Sequence, residues 1–324
     1  MADVDTQERA PTAVVAMGGH AFIQPGEKGT CEDHERNARI ICGQIMTLVE
    51  RGYNLVITHG NGPQVGSLLD QTEMTREKIP PLPMDVLVAQ TQGSLGYFLQ
   101  QALLNELRHR HIRRYVVTMV TQVAVDPEDP AFQHPTKPVG PFLSKEEAEA
   151  RQKEFGWVIA EDIGRGWRRV VASPTPVKVI QRHMVREAAH AGHIVVAAGG
   201  GGIPFHKCKD TNDYEGIEAV IDKDLTSSVL ATDVHADLLI ILTAVDRVYL
   251  NFSKPNQTPL GAVTLSECKG FIDSGHFPAG SMGPKVEAIY GFLKRGGKRG
   301  LITSPTHLEA ALDGEAGTHF VGRI

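Results

Sequence analysis

Short apolar runs of strand length recur along the chain and alternate with segments whose apolar residues fall at helical spacing. AVVAM (13–17), NLVIT (54–58), HIVVAA (193–198), LLIILTAV (238–245) and GLITS (300–304) read as strands. They are almost continuously apolar, the pattern of strands covered on both faces. RRVVA (168–172) and the closing THFVG (318–322) are further strand signals, and YVVTMVTQVAV (115–125) reads as one buried strand opening a hairpin. Between them, Glu32 to Glu50 places Ile40, Ile41, Ile45, Leu48 and Val49 on one helical side. After the break PPLP (80–83), a long helix is predicted over Asp85 to Arg110; others cover VIQRHMVREAAHA (179–191), Asp222 to Thr232 and Pro284 to Arg295. Strands alternating with helices predict an α/β fold: a three-layer α/β/α sandwich around a mostly parallel central sheet. The rhythm breaks from Asp126 to Ser173, a stretch rich in Pro, Gly and charge that holds both tryptophans and one short helical pattern, SKEEAEARQKEF (144–155). An insert of that length predicts a small protruding lid subdomain at about 126–173.

Composition narrows the function classes. The 324 residues are 41% hydrophobic and 22% charged, with a formal net charge of -5 and a pI near 6.3. These are values of an ordinary globular protein, and they give no electrostatic case for nucleic acid or an anionic membrane surface. The basic run RHRHIRR (108–114) ends a helical pattern and reads as a solvated helix end. Four scattered cysteines without a C-x-x-C spacing suggest reduced thiols, and the polar N-terminal segment lacks a secretory pattern. No apolar stretch is long enough to span a bilayer. A cytoplasmic protein is expected.

Candidate chemistry sits in the turns that follow the strands. They are Gly18-Gly19-His20-Ala21, His59-Gly60-Asn61-Gly62-Pro63-Gln64, the run Gly199 to Gly202, and Thr243-Ala244-Val245-Asp246. In an open α/β sheet, loops beyond the carboxyl ends of the strands gather around the ligand. Glycines there let backbone N–H groups approach a phosphate, and helix N-termini attract its charge. Several such loops suit more than one anionic group, a phosphoryl-transfer pattern. No P-loop, protein-kinase signature or zinc-ligand spacing is present, and the Gly18-Gly19 turn lacks the dinucleotide fingerprint, so nicotinamide chemistry is remote. In Asp222-Lys223-Asp224, two acids flank a lysine at a helix start. The set either positions a cation against phosphate oxygens or is an N-cap aspartate beside a solvated lysine. In Ala279-Gly280-Ser281-Met282-Gly283-Pro284-Lys285, Pro284 fits the first turn of a helix and Lys285 lies near its N-terminus.

Taken together, VVAMGGHAF, THGNGPQVG, PTKPVGPF, AAGGGGIP, AVIDKDL, LTAVDRVY and FPAGSMGPKVEA resemble carbamate kinases of the amino acid kinase superfamily, in family order from about Val14 to Lys298. The resemblance implies a homodimer that moves a phosphoryl group between ATP and carbamate, often run from ADP and carbamoyl phosphate toward ATP, with Mg²⁺ on the nucleotide. It implies one domain over 1–324, with a substrate-binding half at about 13–210 that carries the lid and a nucleotide-binding half at about 211–324. By motif, Lys137, Lys223 and Lys285 are its catalytic lysines. Lys223 and Lys285 fall to the ATP phosphates and Lys137 to closing over carbamate or carbamoyl phosphate. Asp222 would orient the lysines or help place Mg²⁺, which bridges phosphates with few protein ligands. Gly18, Gly19, His20, Gly60, Asn61 and Gly62 would hold the substrate. Gly200 and Gly201 would pass close to the nucleotide phosphates, and Ala244, Val245, Tyr249 and Met282 would face adenine. Carbamate carries its own nucleophilic oxygen, so positioning and electrostatics rather than a strong base should carry the reaction.

The chain departs from the family at one position. Carbamate kinases usually carry Gly-Gly-Asn-Ala in the first motif, where this sequence has His20. A histidine replaces a neutral amide with a ring that can charge near neutrality. The open readings are a carbamate kinase with altered kinetics, a kinase for a related small carboxylate or carbamate-like acid, and a low-activity nucleotide- or carbamoyl-phosphate-binding protein. His59, inside its motif, is expected to shape the loop rather than transfer protons.

Overall fold

The structure, a computed structural model, describes residues 9–18, 21–162, 166–277 and 281–322. The chain opens with β1 (Thr12–Met17), α1 (Cys31–Glu50), β2 (Asn54–His59), α2 (Gly62–Met74), α3 (Met84–His109), β3 (Val116–Thr118) and β4 (Gln122–Val125). The lid segment follows with β5 (Lys137–Leu143), α4 (Lys145–Phe155), β6 (Ile159–Asp162) and β7 (Gly166–Val171). Next come β8 (Pro176–Val179), α5 (Arg182–His190), β9 (Ile194–Val196), β10 (Ile203–Lys207), β11 (Tyr214–Gly216), α6 (Lys223–Asp233) and β12 (Leu238–Leu242). The chain closes through β13 (Tyr249–Leu250), β14 (Thr258–Pro259), β15 (Ala262–Thr264), α7 (Leu265–Asp273), α8 (Gly283–Lys294), β16 (Arg299–Thr303), α9 (Leu308–Leu312) and β17 (Thr318–Val321).

The central sheet has eight strands in the order β15-β17-β16-β12-β1-β2-β9-β3. Its pairs are parallel except β16 with β17. Side chains alternate between its faces with the period of two that a pleated strand imposes. Ala13, Val15 and Met17 of β1 pack under α1, α3 and α9, against Ile41, Ile45, Leu99 and Leu308. Val14 and Ala16 face the opposite layer, where Val185, Leu230, Val286 and Phe292 come from α5, α6 and α8. The result is an α/β/α sandwich with an apolar core on each side of the sheet. Local signals set the helix starts. Thr30, Ser144 and Thr264 each cap a helix by a reciprocal capping box with Asp33, Glu147 and Glu267.

Three expectations from the pattern need correction. Residues 115–125 are two strands in two sheets: β3 edges the central sheet, while β4 pairs with β8 and β10 in a four-stranded sheet. The break is pinned from α3, where the Gln92 side chain accepts from Thr121 N at 2.7 Å and donates to Thr121 O at 3.1 Å. The helix expected from Val179 starts at Arg182 instead. Val179 is held by pairing with Val123, and the Gln181 side chain accepts from Gln122 N at 2.8 Å. Ile40, assigned by its period to the buried side of α1, is 56% exposed.

The lid is a three-stranded antiparallel sheet, β5-β7-β6, braced by α4. A third apolar cluster joins it to the body: Val139 of β5 and Val171 of β7 pack with Val65 and Leu69 of α2 and with Leu87 of α3. The lid therefore stands over the end of the sheet where β1, β2, β12 and β16 deliver their carboxyl ends.

Candidate active site

Beyond those strand ends lies a cavity of about 660 Å³. Gly18 after β1, Thr243, Ala244 and Val245 after β12, and Ser304 after β16 form its floor. Tyr249, Phe277, Met282 and Lys285 form one wall, and Ile40, Ile41 and Gln44 of α1 form the other. This explains the exposure of Ile40, which continues the helix's apolar side past the sheet and into the cavity rim. The Tyr249 ring is fixed by its hydroxyl, which donates to Asp246 Oδ1 at 2.9 Å.

Lys223 and Lys285 enter the cavity from a buried ion-pair cluster. Asp222 is the N-cap of α6, where its Oδ1 accepts from the backbone N–H of Asp224 at 2.9 Å and of Leu225 at 3.4 Å. Its Oδ2 accepts from Lys137 Nζ of the lid at 2.8 Å. Burial alone would raise the Asp222 pKa, but the Lys137 and Lys223 ammonium groups outweigh it and hold this carboxyl well below the ordinary carboxylate range. Asp224, with a side chain only 3% exposed, holds Lys223 Nζ at 2.5 Å and Lys285 Nζ at 3.0 Å. Three ammonium groups against two carboxylates leave one net positive charge. The first turn of α8, which carries Lys285, has no side-chain cap on its N–H groups, and neither has that of α2. Uncapped N-termini beside fixed lysines make a strong anion site.

The structure thus brings Lys137, Lys223, Lys285 and Asp222 into one cluster, and it places Gly18, Ala244, Val245, Tyr249 and Met282 on the cavity wall. Gly60, Asn61 and Gly62 form the turn into α2. The Asn61 side chain donates to Thr91 Oγ1 at 2.8 Å. Gly19 and His20 lie outside the described residues. Gly200 and Gly201, expected beside the nucleotide phosphates, lie at the start of the segment that leads into β10. Both are buried inside the fold, and neither is among the residues lining the cavity. A Cβ on Gly199 would strike the His59 ring, one on Gly200 the Asn61 amide, and one on Gly201 the Ile221 carbonyl. Two side chains and one backbone carbonyl thus leave no room for a Cβ along the run, and Gly200 is also at a φ of 67°.

His59 belongs to the same packing. It is buried, its Nδ1 lies 3.0 Å from the Gly60 carbonyl, and its ring meets Phe22 edge-on at 5.5 Å. Burial lowers its pKa to about 4, so the ring is neutral at physiological pH and Nδ1–H donates to Gly60. Sequence reasoning missed Asp224 as the hub of two lysines. The DKD triplet contained it, but nothing in the local pattern says that Lys285 reaches it. Among the described residues, no group of three or more His, Cys, Asp or Glu is arranged to hold a metal ion, and no helix is long and apolar enough to cross a membrane.

Comparison with known proteins shows the family. The model of the amino acid kinase family matches residues 11–304. The carbamate kinase of Pyrococcus horikoshii is 48% identical over 307 residues, covering 94% of this chain and 97% of that protein. The carbamate kinase-like protein YahI of Escherichia coli is 44% identical over 311 residues, covering 95% and 98%. Among solved structures, the carbamate kinase of Giardia lamblia bound to AMP-PNP superposes with a TM-score of 0.90 at 38% identity, covering 97% of this chain and 99% of that one.

Proposed function

The chain belongs to the amino acid kinase family, and from that premise we propose that it is a carbamate kinase, transferring a phosphoryl group reversibly between ATP and carbamate to give ADP and carbamoyl phosphate. The observation that carries this is the cluster of Lys137, Lys223 and Lys285 on Asp222 and Asp224. Two anions must meet, and charge on the migrating group must be neutralised without a strong base; fixed ammonium groups and helix N-termini do both. Lys223 and Lys285, which also line the cavity, take the nucleotide phosphates and the transition state. Lys137 reaches in from the lid to the carbamate or carbamoyl phosphate held by Gly18, Gly19, His20 and the Gly60-Asn61-Gly62 turn. Adenine lies against Tyr249, Met282, Ala244 and Val245. The half at about 13–210 handles the substrate and the half at about 211–324 the nucleotide.

Mg²⁺ fits this site as a passenger of the nucleotide. The carboxylates at the cluster, Asp222 and Asp224, are each engaged by lysine, so phosphate oxygens and water would supply most of its ligands. Bound there, the ion would neutralise phosphate charge. The chain's own lysines hold the transferring group in line.

A homodimer and a cytoplasmic setting complete the reading. The dimer is supported by an apolar margin at the β3 edge of the sheet. Tyr97 and Leu104 of α3 are exposed there, with Tyr115 beside the strand and Val120 beyond it. Four free cysteines suit a reducing compartment. The test is ATP formation from ADP and carbamoyl phosphate with Mg²⁺, comparing wild type with His20→Asn and Lys223→Ala. Turnover in the wild type, lost in Lys223→Ala, is expected. A silent wild type with an active His20→Asn would overturn carbamate as the substrate and point to a related acid.

A further inference from the structure

Two glycines of the motifs that carry the resemblance have no part in the chemistry above. Gly66 ends THGNGPQVG and Gly140 sits within PTKPVGPF. They are 74 residues apart in the chain and touch in the fold. A Cβ on Gly66 would lie 2.6 Å from Gly140 Cα and 2.7 Å from its N, both backbone atoms that cannot swing aside. Gly140 itself has a φ of 76° and sits where the pairing of β5 with β7 loses register, between Val139 and Leu143, so the strand bulges toward α2. Its carbonyl accepts from Arg168 of β7, at 3.1 Å from Nε and 2.8 Å from Nη2.

The contact continues down α2. Asp70, one turn beyond Gly66, accepts from Arg151 Nη1 of α4 at 2.9 Å. Arg76, just past the helix, holds its guanidinium 4.5 Å from the Phe155 ring centroid. Arg151 in turn lies 5.2 Å from the Trp157 ring centroid. α2 and the turn after it therefore seat the lid at three successive points. The helix N-terminus at Gly62, one turn above Gly66, is the end that the proposed function gives to the substrate. On the lid, Lys137 stands three residues before Gly140 and reaches Asp222.

We infer that α2 and the lid form a single jaw, in which the Gly66–Gly140 contact is a positioning device that sets how far Lys137 reaches over a substrate bound at the N-terminus of α2. Glycine is needed at both points because the backbones must touch. Any side chain at 66 would lift β5 and draw the Lys137 ammonium back from the anion. Gly66, Asp70 and Arg151 thus act on carbamoyl phosphate through Lys137, while the nucleotide, held from the opposite side by Lys223, Lys285 and Tyr249, is indifferent to them. The inference rests on the proposed carbamate kinase reading.

The test uses the full-length enzyme, Gly66→Ala and Asp70→Asn. Steady-state kinetics give KM for carbamoyl phosphate and for ADP separately. Both tryptophans of the chain, Trp157 and Trp167, lie in the lid, so tryptophan fluorescence, excited selectively over tyrosine and titrated with carbamoyl phosphate, reports the lid. Gly66→Ala should raise KM for carbamoyl phosphate about tenfold or more. Asp70→Asn, a partly exposed pair, should raise it about threefold. In both, the fluorescence midpoint should move in parallel and KM for ADP should stay at its wild-type value. An unchanged KM for carbamoyl phosphate, or an equal rise for both substrates, would overturn the jaw. If Gly66→Ala does not fold, Asp70→Asn decides by the same criteria. Wild-type protein without turnover sinks the carbamate reading and the jaw together; wild-type turnover with unaffected variants sinks the jaw alone.

Discussion

Asp224→Asn is the sharpest perturbation of the ion-pair cluster. The substitution keeps volume and shape but removes the charge from a carboxylate that is 3% exposed and holds two ammonium groups at 2.5 and 3.0 Å. The local sum rises from three lysines against two carboxylates, +1, to three against one, +2. The remaining carboxylate, Asp222, is already engaged by Lys137 and the first turn of α6. Breaking a buried charge set by removing one member costs about 3–5 kcal/mol, since the partners left behind stay desolvated. In a chain of this size that corresponds to a melting temperature lower by roughly 4–7 °C. The distinguishing feature is its dependence on nucleotide. ATP or ADP phosphates supply negative charge beside Lys223 and Lys285, so saturating nucleotide should stabilise the variant more than the wild type. Catalysis should not recover in the same way. Without Asp224 the two ammonium groups lose their common anchor, and kcat should fall about a hundredfold or more even when the nucleotide binds as tightly as before. Thermal melts with and without ATP analogue, alongside kcat and KM for ADP, test every step. A nucleotide-free variant melting within about 2 °C of the wild type would refute the ion-pair reasoning. So would a nucleotide shift no larger in the variant than in the wild type.

Three further outcomes follow from the same geometry. His59 is buried and neutral down to a pKa of about 4, whereas the unfolded chain protonates it near 6.5. The unfolded state therefore binds more protons between those values, and stability should fall as the pH is lowered across that window, by up to about 3 kcal/mol. Denaturant unfolding at pH 7, 5.5 and 4.5 should show a shallower loss in His59→Gln, and equal slopes would disprove the contribution. Lys137→Ala should lower kcat/KM for carbamoyl phosphate by about a hundredfold while leaving KM for ADP unchanged; a matching rise in KM for ADP would place this lysine on the nucleotide instead. Gly200→Ala, at a positive φ and against the Asn61 amide, should cost about 1–3 kcal/mol in urea unfolding. A silent Gly200→Ala would mean the glycine run is not required by packing.

What could be read from the sequence depended on how local its cause was. β1, β2 and β12 were legible because each is buried along its whole length, so the apolar run and the strand coincide. The split at Thr121 was not, because every residue of 115–125 suits a strand and the break is imposed by Gln92, 29 residues away. The same division runs through the site. The Gly18 turn and the Thr243–Val245 turn end strands of the parallel sheet, so the rule that ligands bind at carboxyl ends located the cavity from a one-dimensional pattern. The lysine cluster has no such pattern. Lys137 and Lys285 come to Asp222 and Asp224 across 85 and 61 residues, and only the resemblance, which carries the imprint of the fold, could name them together. The glycines divide in an instructive way. A glycine marks a place where backbone must come close to something, and the sequence does not say to what. At Gly200 and Gly201 a side chain would meet Asn61 and Ile221; at Gly66 it would meet another glycine, on the lid. A motif glycine is thus a constraint on distance whose partner is supplied by the fold. In this chain those partners tie the turn at 60–62 and α2 to the DKD segment and to the lid, and the latter two carry all the charge of the cluster except Lys285.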